Sequence, residues 1–158
     1  MKTLVVYYSR TGTTRKVAEE LAEALGADIE QLKERANREG VMGYLQAGHD
    51  SMKHRPAELE PVTTNPADYD MVVMGGPCWA QSICTPIRTY GVEHKESLSR
   101  VAFFATAGDA RFARKAVKAM ADATRIAPVA TMALGQKDVA KDHSRTLADF
   151  ISALKSKR

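Results

Sequence analysis

The fold is decided by the stretch Leu4-Val5-Val6-Tyr7-Tyr8-Ser9-Arg10-Thr11-Gly12-Thr13-Thr14-Arg15-Lys16-Val17-Ala18. An apolar run leads into hydroxyl-bearing residues around one glycine, and an amphipathic helical pattern follows at once. Backbone N–H groups at a helix N-terminus have no intrahelical partner and carry partial positive charge, so they hold an anion well. The stretch therefore predicts a strand, an anion-binding loop and a helix. A hydroxyl-rich helix cap with no ligand remains the alternative.

Short apolar runs alternate with helical patterns along the whole chain. The patterns predict strands over residues 3–8, 28–32, 69–76, 101–106 and 128–134, and helices over 13–25, 86–95, 111–124 and 138–154. Strands that alternate with helices form right-handed βαβ units and a parallel sheet. We expect residues 1–158 to form one α/β domain.

The connection over residues 33–68 is unusually long, polar and rich in glycine and proline. Connections of this length inside a compact domain are usually functional or loosely ordered. A short helix is expected over residues 41–53. Its Tyr44 and Leu45 side chains would pack it onto the body of the domain or onto another subunit.

Composition limits the classes of protein to consider. No apolar run approaches the roughly 20 residues that cross a bilayer, and the N-terminus enters the first strand directly. The two cysteines form no C-x-x-C pair, so we expect a cytoplasmic protein with reduced thiols. The net charge of +4 could attract nucleic acid or an acidic partner, but no nucleic-acid-binding motif accompanies it. Solvated helix faces explain the basic residues more simply: Arg111, Arg114, Lys115, Lys118 and the tail Lys155-Ser156-Lys157-Arg158.

Ligands of open parallel sheets bind beyond the carboxyl ends of the strands, where the strand order reverses. Three loops fit that position: residues 9–14, 76–85 and 106–112. The first matches neither G-x-x-x-x-G-K-[ST] nor G-x-G-x-x-G, which disfavours a nucleoside triphosphate and a dinucleotide. Hydroxyls dominate it, which suits a terminal monophosphate: Ser9, Thr11, Thr13 and Thr14.

The second loop carries Trp79, the only tryptophan. A large aromatic side chain in a loop is not needed to fill a strand core, so a planar ligand could stack on it. Backbone N–H groups and Gln81 would bond the polar edge of that ligand. A structural tryptophan that packs the loop down is the alternative.

The third loop, Thr106-Ala107-Gly108-Asp109-Ala110-Arg111-Phe112, has small residues that let backbone amides reach a ligand. Phe112 is either a second stacking face or the first core residue of the following helix. Asp109 is expected to cap that helix rather than to act as an acid or base.

Other kinds of site are disfavoured by spacing. His49, His54, His94 and His143 lack metal-ligand spacing with cysteines or carboxylates. Cys84 and Arg88 lie at the wrong interval for a C-x5-R phosphatase loop. A response-regulator receiver needs acidic residues where Ser9-Arg10 and Gly75-Gly76 stand, so that class is excluded.

A phosphate loop, an aromatic platform and a small-residue loop at one sheet edge suit a flat ring that carries one phosphate, such as flavin mononucleotide (FMN). The chain resembles the flavodoxin family in three motifs. The family pattern [ST]-x-[ST]-G-x-T matches Ser9 to Thr14, and its strand-T-x-G segment matches residues 101–109. Its YD-strand-G-x-P-x-W segment matches Tyr69 to Trp79.

The resemblance covers nearly the whole chain and implies a flavodoxin-like three-layer sandwich with a five-stranded parallel sheet of order 2-1-3-4-5. It implies that FMN is held by the three loops. The implied cofactor-binding residues are Ser9, Arg10, Thr11, Gly12, Thr13, Thr14, Pro77, Cys78, Trp79, Ala80, Thr106, Ala107, Gly108, Asp109 and Phe112. No side chain is expected to act as a catalytic acid or base.

Two departures from the family pattern bear on function. Electron-carrier flavodoxins are typically acidic, whereas this chain is basic. The connection over 33–68 resembles that of flavodoxin-like oxidoreductases more than that of a minimal carrier, with Arg38, Gly43, Tyr44 and Gly48. Both favour an FMN-dependent enzyme that passes electrons from NAD(P)H to a small acceptor such as a quinone. A non-enzymatic carrier with a redox partner protein, and a domain that has lost its flavin, are the alternatives. We expect a monomer or homodimer.

Overall fold

The structure is a computed structural model that describes residues 1–35, 40–53 and 55–156. In this part of the chain the strands are β1 (Thr3–Tyr7), β2 (Asp28–Gln31), β3 (Met71–Trp79), β4 (Ser82–Ile83), β5 (Val101–Ala107) and β6 (Thr131–Gly135). The helices are α1 (Thr13–Leu25), α2 (Gly40–Met52), α3 (Thr85–His94), α4 (Ala110–Thr124), α5 (Gln136–Ala140) and α6 (Ser144–Ser156).

Five parallel strands form the sheet in the order β2-β1-β3-β5-β6. The two-residue strand β4 stands apart from this path, because it pairs antiparallel with the end of β3. When β4 is set aside, the order is the expected 2-1-3-4-5. The predicted fold class is confirmed.

Alternate side chains of the strands face opposite sides of the sheet and build two cores. Leu4 and Val6 of β1 pack in a cluster that includes residues of α3 and α4, such as Tyr90 and Met120. Val5 belongs to the other cluster, which includes residues of α1 and α6. Strands that are buried on both faces read as continuous apolar runs, which is why the central strands were recognisable.

Helix α1 has the predicted bounds because its start and stop signals are strong. Its buried face carries Val17, Leu21 and neighbouring alanines, which repeat with helical spacing. Gly26 ends it with a φ of 58°, and the backbone N–H of Gly26 bonds back to carbonyls of the last turn. Glycine adopts this left-handed conformation without steric cost.

The last predicted helix is wrong as a single element. It is two helices, α5 and α6, separated at Lys141, where ψ is −84°. The Asp142 carboxylate accepts a hydrogen bond from the backbone N–H of Ser144 at 2.9 Å and starts α6 anew. The buried His143 between them pairs with Glu20 of α1. Local capping therefore outweighs the continuous helical pattern here.

The long connection has more structure than its composition indicates. The predicted helix is present as α2, and the chain on either side of it pairs backbone to backbone. Glu34 and Leu59 form an antiparallel bridge, and the buried Glu30 carboxylate accepts bonds from Thr63. Leu45 is exposed, while the side chain of Tyr44 and all of Arg38 lie outside the described residues.

No helix in residues 1–35, 40–53 and 55–156 combines the length and the hydrophobicity that crossing a bilayer requires. Among the described helices the longest is α4, with 15 residues. Its basic side chains are exposed, as the solvated-face interpretation predicted: Arg111, Arg114, Lys115 and Lys118. Lys157 and Arg158 of the basic tail lie outside the described part of the chain.

Candidate functional site

The ends of three neighbouring strands bring the predicted loops together. Tyr7 of β1 pairs with Gly75 of β3, and Pro77 of β3 pairs with Thr106 of β5. The strands that follow β1 in the chain lie on both sides of it: β2 on one side, and β3, β5 and β6 on the other. The loops therefore meet where the strand order reverses, the usual ligand position in such sheets.

A cavity of about 320 Å³ lies at this edge, and we call it the loop cavity. Its walls come from the loop after β1, the start of α1, the ends of β3 and β5 and the start of α5. The lining residues are Arg10, Thr11, Thr13, Pro77, Cys78, Trp79, Thr106, Ala107, Gly108 and Gln136. All except Gln136 were predicted from the sequence. The predicted Ser9, Gly12, Thr14, Ala80, Asp109 and Phe112 lie outside this lining.

The first loop leaves the start of α1 open to an anion. Gly12 is the N-cap residue, with a φ of 101°, and has no side chain that could accept from the first N–H groups of the helix. The Ser9 hydroxyl accepts a hydrogen bond from the backbone N–H of Gly12 at 3.0 Å, which folds the loop on itself. Arg10 and Thr11 line the adjoining cavity wall. This arrangement suits a phosphate group.

Thr14 has a different place from the one predicted. Its side chain is buried, and its hydroxyl oxygen lies 2.8 Å from that of Thr106 on β5. A hydroxyl that is buried and already paired joins the two loops instead of facing the cavity. The hydroxyl-bearing residues of the loop that line the cavity are Thr11 and Thr13.

The expectation that Trp79 lies in a loop is wrong. It is the last residue of β3 and is only 5% exposed. Its ring packs edge-to-face on Tyr8, with centroids 5.4 Å apart. The alternative that Trp79 is a structural tryptophan is therefore correct for most of its ring. Part of the ring still lines the loop cavity.

The hairpin that follows Trp79 was not predicted. Ala80 and Gln81 form its turn with φ values of 49° and 62°, a left-handed conformation that favours glycine and asparagine. The turn therefore lacks the usual sequence signal. The Gln81 side chain, expected at the ligand, instead accepts a hydrogen bond from Lys115 Nζ of α4 at 2.9 Å.

The third loop leads into α4 and caps the N-terminus of that helix. The Asp109 carboxylate accepts a hydrogen bond from the Arg111 backbone N–H at 2.8 Å and also pairs with the Arg111 guanidinium, as the capping prediction required. These contacts hold the pKa of Asp109 below its usual value. Phe112 is 38% exposed, so its role as the first core residue is wrong, and the α4 core begins at Ala113.

Two glycines of β3 are required by packing. A Cβ at Gly75 would lie 2.1 Å from the Phe104 ring, and one at Gly76 would lie 2.5 Å from Cys84 Sγ. Neither glycine has a positive φ, so space and not backbone conformation explains them. The two glycines face opposite sides of the sheet, so both faces of β3 are closely packed just before Pro77 and Cys78.

Both thiols ionise less readily than an ordinary cysteine. Burial raises the pKa of the Cys84 thiol well above its usual value and also raises the pKa of Cys78, to a smaller degree. The backbone near Gln81 and the charge of Lys115 oppose the shift at Cys78. A thiol with a raised pKa is a poor nucleophile at neutral pH.

Sequence reasoning missed Gln136. It begins α5 directly after β6, the last parallel strand, and so lies at the same edge as the other loops. The strand-end rule that located the three loops applies equally to the end of this strand. Among described residues no group of three metal-ligating side chains comes together, and His54 lies outside the described part.

The residues of the loop cavity fit FMN. An open helix N-terminus beside Arg10 suits the phosphate, and Pro77 and Trp79 offer apolar walls to a ring. Ala107 and Gly108 carry little or no side chain, so backbone N–H groups can approach the ligand closely. The volume lies within the roughly 300–1,000 Å³ that is typical of small-molecule sites.

Comparison with solved structures supports the same fold. The chain is similar to a flavoprotein of Lactobacillus acidophilus NCFM in complex with FMN, with 22% identity, a TM-score of 0.73, and 89% and 97% of the two chains covered. It is also similar to a structure from Bacteroides uniformis ATCC 8492 described as a flavoprotein, with 21% identity, a TM-score of 0.71 and coverage of 96% and 97%. Oxidised flavodoxin 2 of Bacillus cereus has 15% identity, a TM-score of 0.60 and full coverage of both chains.

The family of the chain is identified from its sequence. None of the curated proteins compared matches the chain. The sequence profile described as flavodoxin matches residues 2–145, which is nearly the whole chain and includes all three loops. The protein therefore belongs to the flavodoxin family, whose cofactor is FMN.

Proposed function

We propose that the protein binds FMN in the loop cavity and is an oxidoreductase that passes electrons from NAD(P)H to a small acceptor such as a quinone. The observation that carries the proposal is the loop cavity, in which an uncapped helix N-terminus and an aromatic wall lie at one sheet edge. The net reaction is NAD(P)H plus a proton plus quinone, giving NAD(P)⁺ and hydroquinone.

Each wall of the cavity has a distinct task in this proposal. The first N–H groups of α1 and the charge of Arg10 hold the phosphate. Pro77 and Trp79 bound the ring on one side and exclude water from it. Small Ala107 and Gly108 let backbone N–H groups stabilise negative charge at the polar edge of the ring. The redox chemistry is that of the flavin, which takes up two electrons and releases them singly or in pairs.

The charge near the cavity favours a phosphate-bearing donor. Arg111, Arg114 and Lys115 project from the first turns of α4, which follows the third loop. A nicotinamide dinucleotide carries two or three phosphates, and a basic surface raises its rate of encounter. Flavodoxins that act as electron carriers are typically acidic, whereas this surface is basic. A non-enzymatic carrier of that kind is therefore the second candidate.

Steady-state oxidation of NADPH and NADH by the FMN-loaded chain, with menadione as acceptor, tests the proposal. We expect turnover well above that of free FMN at the same concentration. An Arg114→Glu variant should raise KM for the dinucleotide, and Lys155→Glu, the same charge change on α6, should not. Turnover no faster than free FMN would favour the electron-carrier alternative.

A further inference from the structure

A second cavity, of about 390 Å³, adjoins the loop cavity. Leu45, Gly48, His49 and Met52 of α2 form one side of it. The end of β3 and the turn after it form the other side, through Cys78, Trp79 and Ala80. We call it the α2 cavity. Its α2 side belongs to the connection over residues 33–68, none of whose residues lines the loop cavity.

The large apolar side chains of helix α2 whose placement the structure describes face outward. The helix lies against the domain through small residues, of which Gly43 and Ala47 are buried. Leu45 is 58% exposed and Met52 69% exposed at the cavity, and Val41 and Met42 are exposed further along the helix. Apolar side chains that gather at the surface mark a site where another molecule binds.

The two cavities share a wall. Cys78 and Trp79 line both of them, so a molecule in the α2 cavity is separated from the loop cavity by these residues. The Cys78 thiol is neutral, because burial raises its pKa, and it places no charge in that wall. The α2 cavity is therefore separated from the redox site of the proposed function only by Cys78 and Trp79.

The lining indicates the chemistry of the occupant. The seven described lining residues include no Lys, Arg, Asp or Glu, so nothing there balances the charge of a phosphate or carboxylate. His49 supplies an imidazole that can donate a hydrogen bond, with its Nδ1 3.8 Å from Asp50 Oδ1. Apolar walls and one donor suit a flat, uncharged molecule with a carbonyl oxygen.

We propose that the α2 cavity binds the electron acceptor, a planar apolar molecule with carbonyl oxygens of the quinone class. The choice of an electron acceptor as occupant rests on the proposed function, whereas binding of such a molecule can be measured without any turnover. The competing occupant is a second copy of this chain, seated on the apolar face of α2. The experiment must distinguish it from the bound acceptor molecule.

Menadione binding to the oxidised, FMN-loaded chain, measured by equilibrium dialysis without reductant, tests the proposal. A second readout is the fluorescence of Trp79 in the FMN-free chain, because this is the only tryptophan and it lines the cavity. We expect saturable binding with one site per chain, and saturable quenching of Trp79. Free FMN should not compete for the site.

Matched variants on α2 locate the bound molecule. Leu45→Glu places a charge at the cavity, and we expect it to weaken menadione binding by about tenfold or more. Met42→Glu makes the same change on the same helix at a residue that is 77% exposed and outside the lining, and should leave binding nearly unchanged. Both sites are exposed, so both variants should fold and keep their affinity for FMN.

Absence of saturable binding, equal loss in the two variants, or displacement of menadione by FMN would overturn the proposal. So would a dimer that Leu45→Glu dissociates while menadione binding persists, because a second copy would then cover the face. Menadione binding that fails in a chain with full NAD(P)H turnover sinks this inference alone. Binding at the cavity without turnover upholds the site and sinks the proposed function.

Discussion

The hydroxyl oxygens of Thr14 and Thr106 lie 2.8 Å apart in the core, although 92 residues separate them in the chain. Thr14 is in the first turn of α1, and Thr106 is near the end of β5. The bond therefore joins the phosphate loop to the third loop of the candidate site. It ties α1 to β5, two elements that each contribute residues to the lining of the loop cavity.

Removing one hydroxyl of this pair should destabilise the fold. Thr14→Val keeps the side-chain shape but leaves the Thr106 hydroxyl buried without its partner, at a cost of about 1–3 kcal/mol in the free energy of unfolding. Urea denaturation measures it. The double variant Thr14→Val, Thr106→Val should lose less than the sum of the single losses, and the exposed Thr11→Val should lose little. Additive single losses would contradict the pairing.

Gly76 should tolerate no added methyl group. The new Cβ would lie 2.5 Å from Cys84 Sγ, so Gly76→Ala should cost about 1–3 kcal/mol of stability. Adding Cys84→Ala should restore part of that loss by removing the sulfur. Gly48→Ala is the control, since no atom lies within 4 Å of its added Cβ, and a helical alanine should be neutral or stabilising. A Gly76→Ala chain of full stability would contradict the packing.

Trp79 and Phe112 should differ in their effect on FMN affinity. Trp79 lines the loop cavity and Phe112 does not, so Trp79→Ala should weaken FMN binding by about tenfold, which is about 1.4 kcal/mol. Trp79→Phe, which keeps an aromatic ring in the core, should retain more of the affinity. Phe112→Ala should leave it nearly unchanged. Quenching of flavin fluorescence gives the dissociation constants, and equal losses at Trp79 and Phe112 would contradict the assignment.

Stability should fall in alkaline solution. Burial raises the pKa of Cys84 above its ordinary value of 9.0 and that of Tyr90 above 10.0. The folded state therefore holds these protons more tightly than the unfolded state does. The stability that the two groups contribute is complete below about pH 9 and is lost as the pH rises through the raised pKa values. Each group adds a slope of up to about 1.4 kcal/mol per pH unit.

Urea denaturation at pH 7.5, 9 and 10 measures this alkaline loss. The Cys84→Ala variant starts from a lower stability, because it removes a buried group. Its loss of stability between pH 9 and pH 10 should be smaller than that of the native chain. Parallel pH curves for the two proteins would show that the Cys84 thiol does not contribute.

The parts of the fold that were predictable carry strong local signals. Helix α1 has its amphipathic repeat and its two flanking glycines, and β3 and β5 are long apolar runs buried on both faces. The hairpin after Trp79 was missed because Ala80 and Gln81 adopt left-handed turns without a glycine or asparagine. The composition of the turn therefore does not reveal its conformation.

The candidate site was predictable as a set of loops but not as a set of side chains. Strand ends identify which loops meet, and nine of the ten residues that line the loop cavity lie in the predicted set. Whether a side chain faces the cavity depends on partners far away in sequence. Thr14 turns to Thr106, and Phe112 turns outward while Ala113 enters the core.

The central claim is that the loop cavity holds FMN by its phosphate. Fluorescence titration of the purified chain with FMN and with riboflavin, which lacks only the phosphate, tests it most directly. We expect one FMN to bind per chain and riboflavin to bind about a hundredfold or more weaker, since charged hydrogen bonds at the helix N-terminus contribute about 3 kcal/mol. A chain that leaves FMN fluorescence unchanged, or that binds riboflavin equally well, would contradict the account.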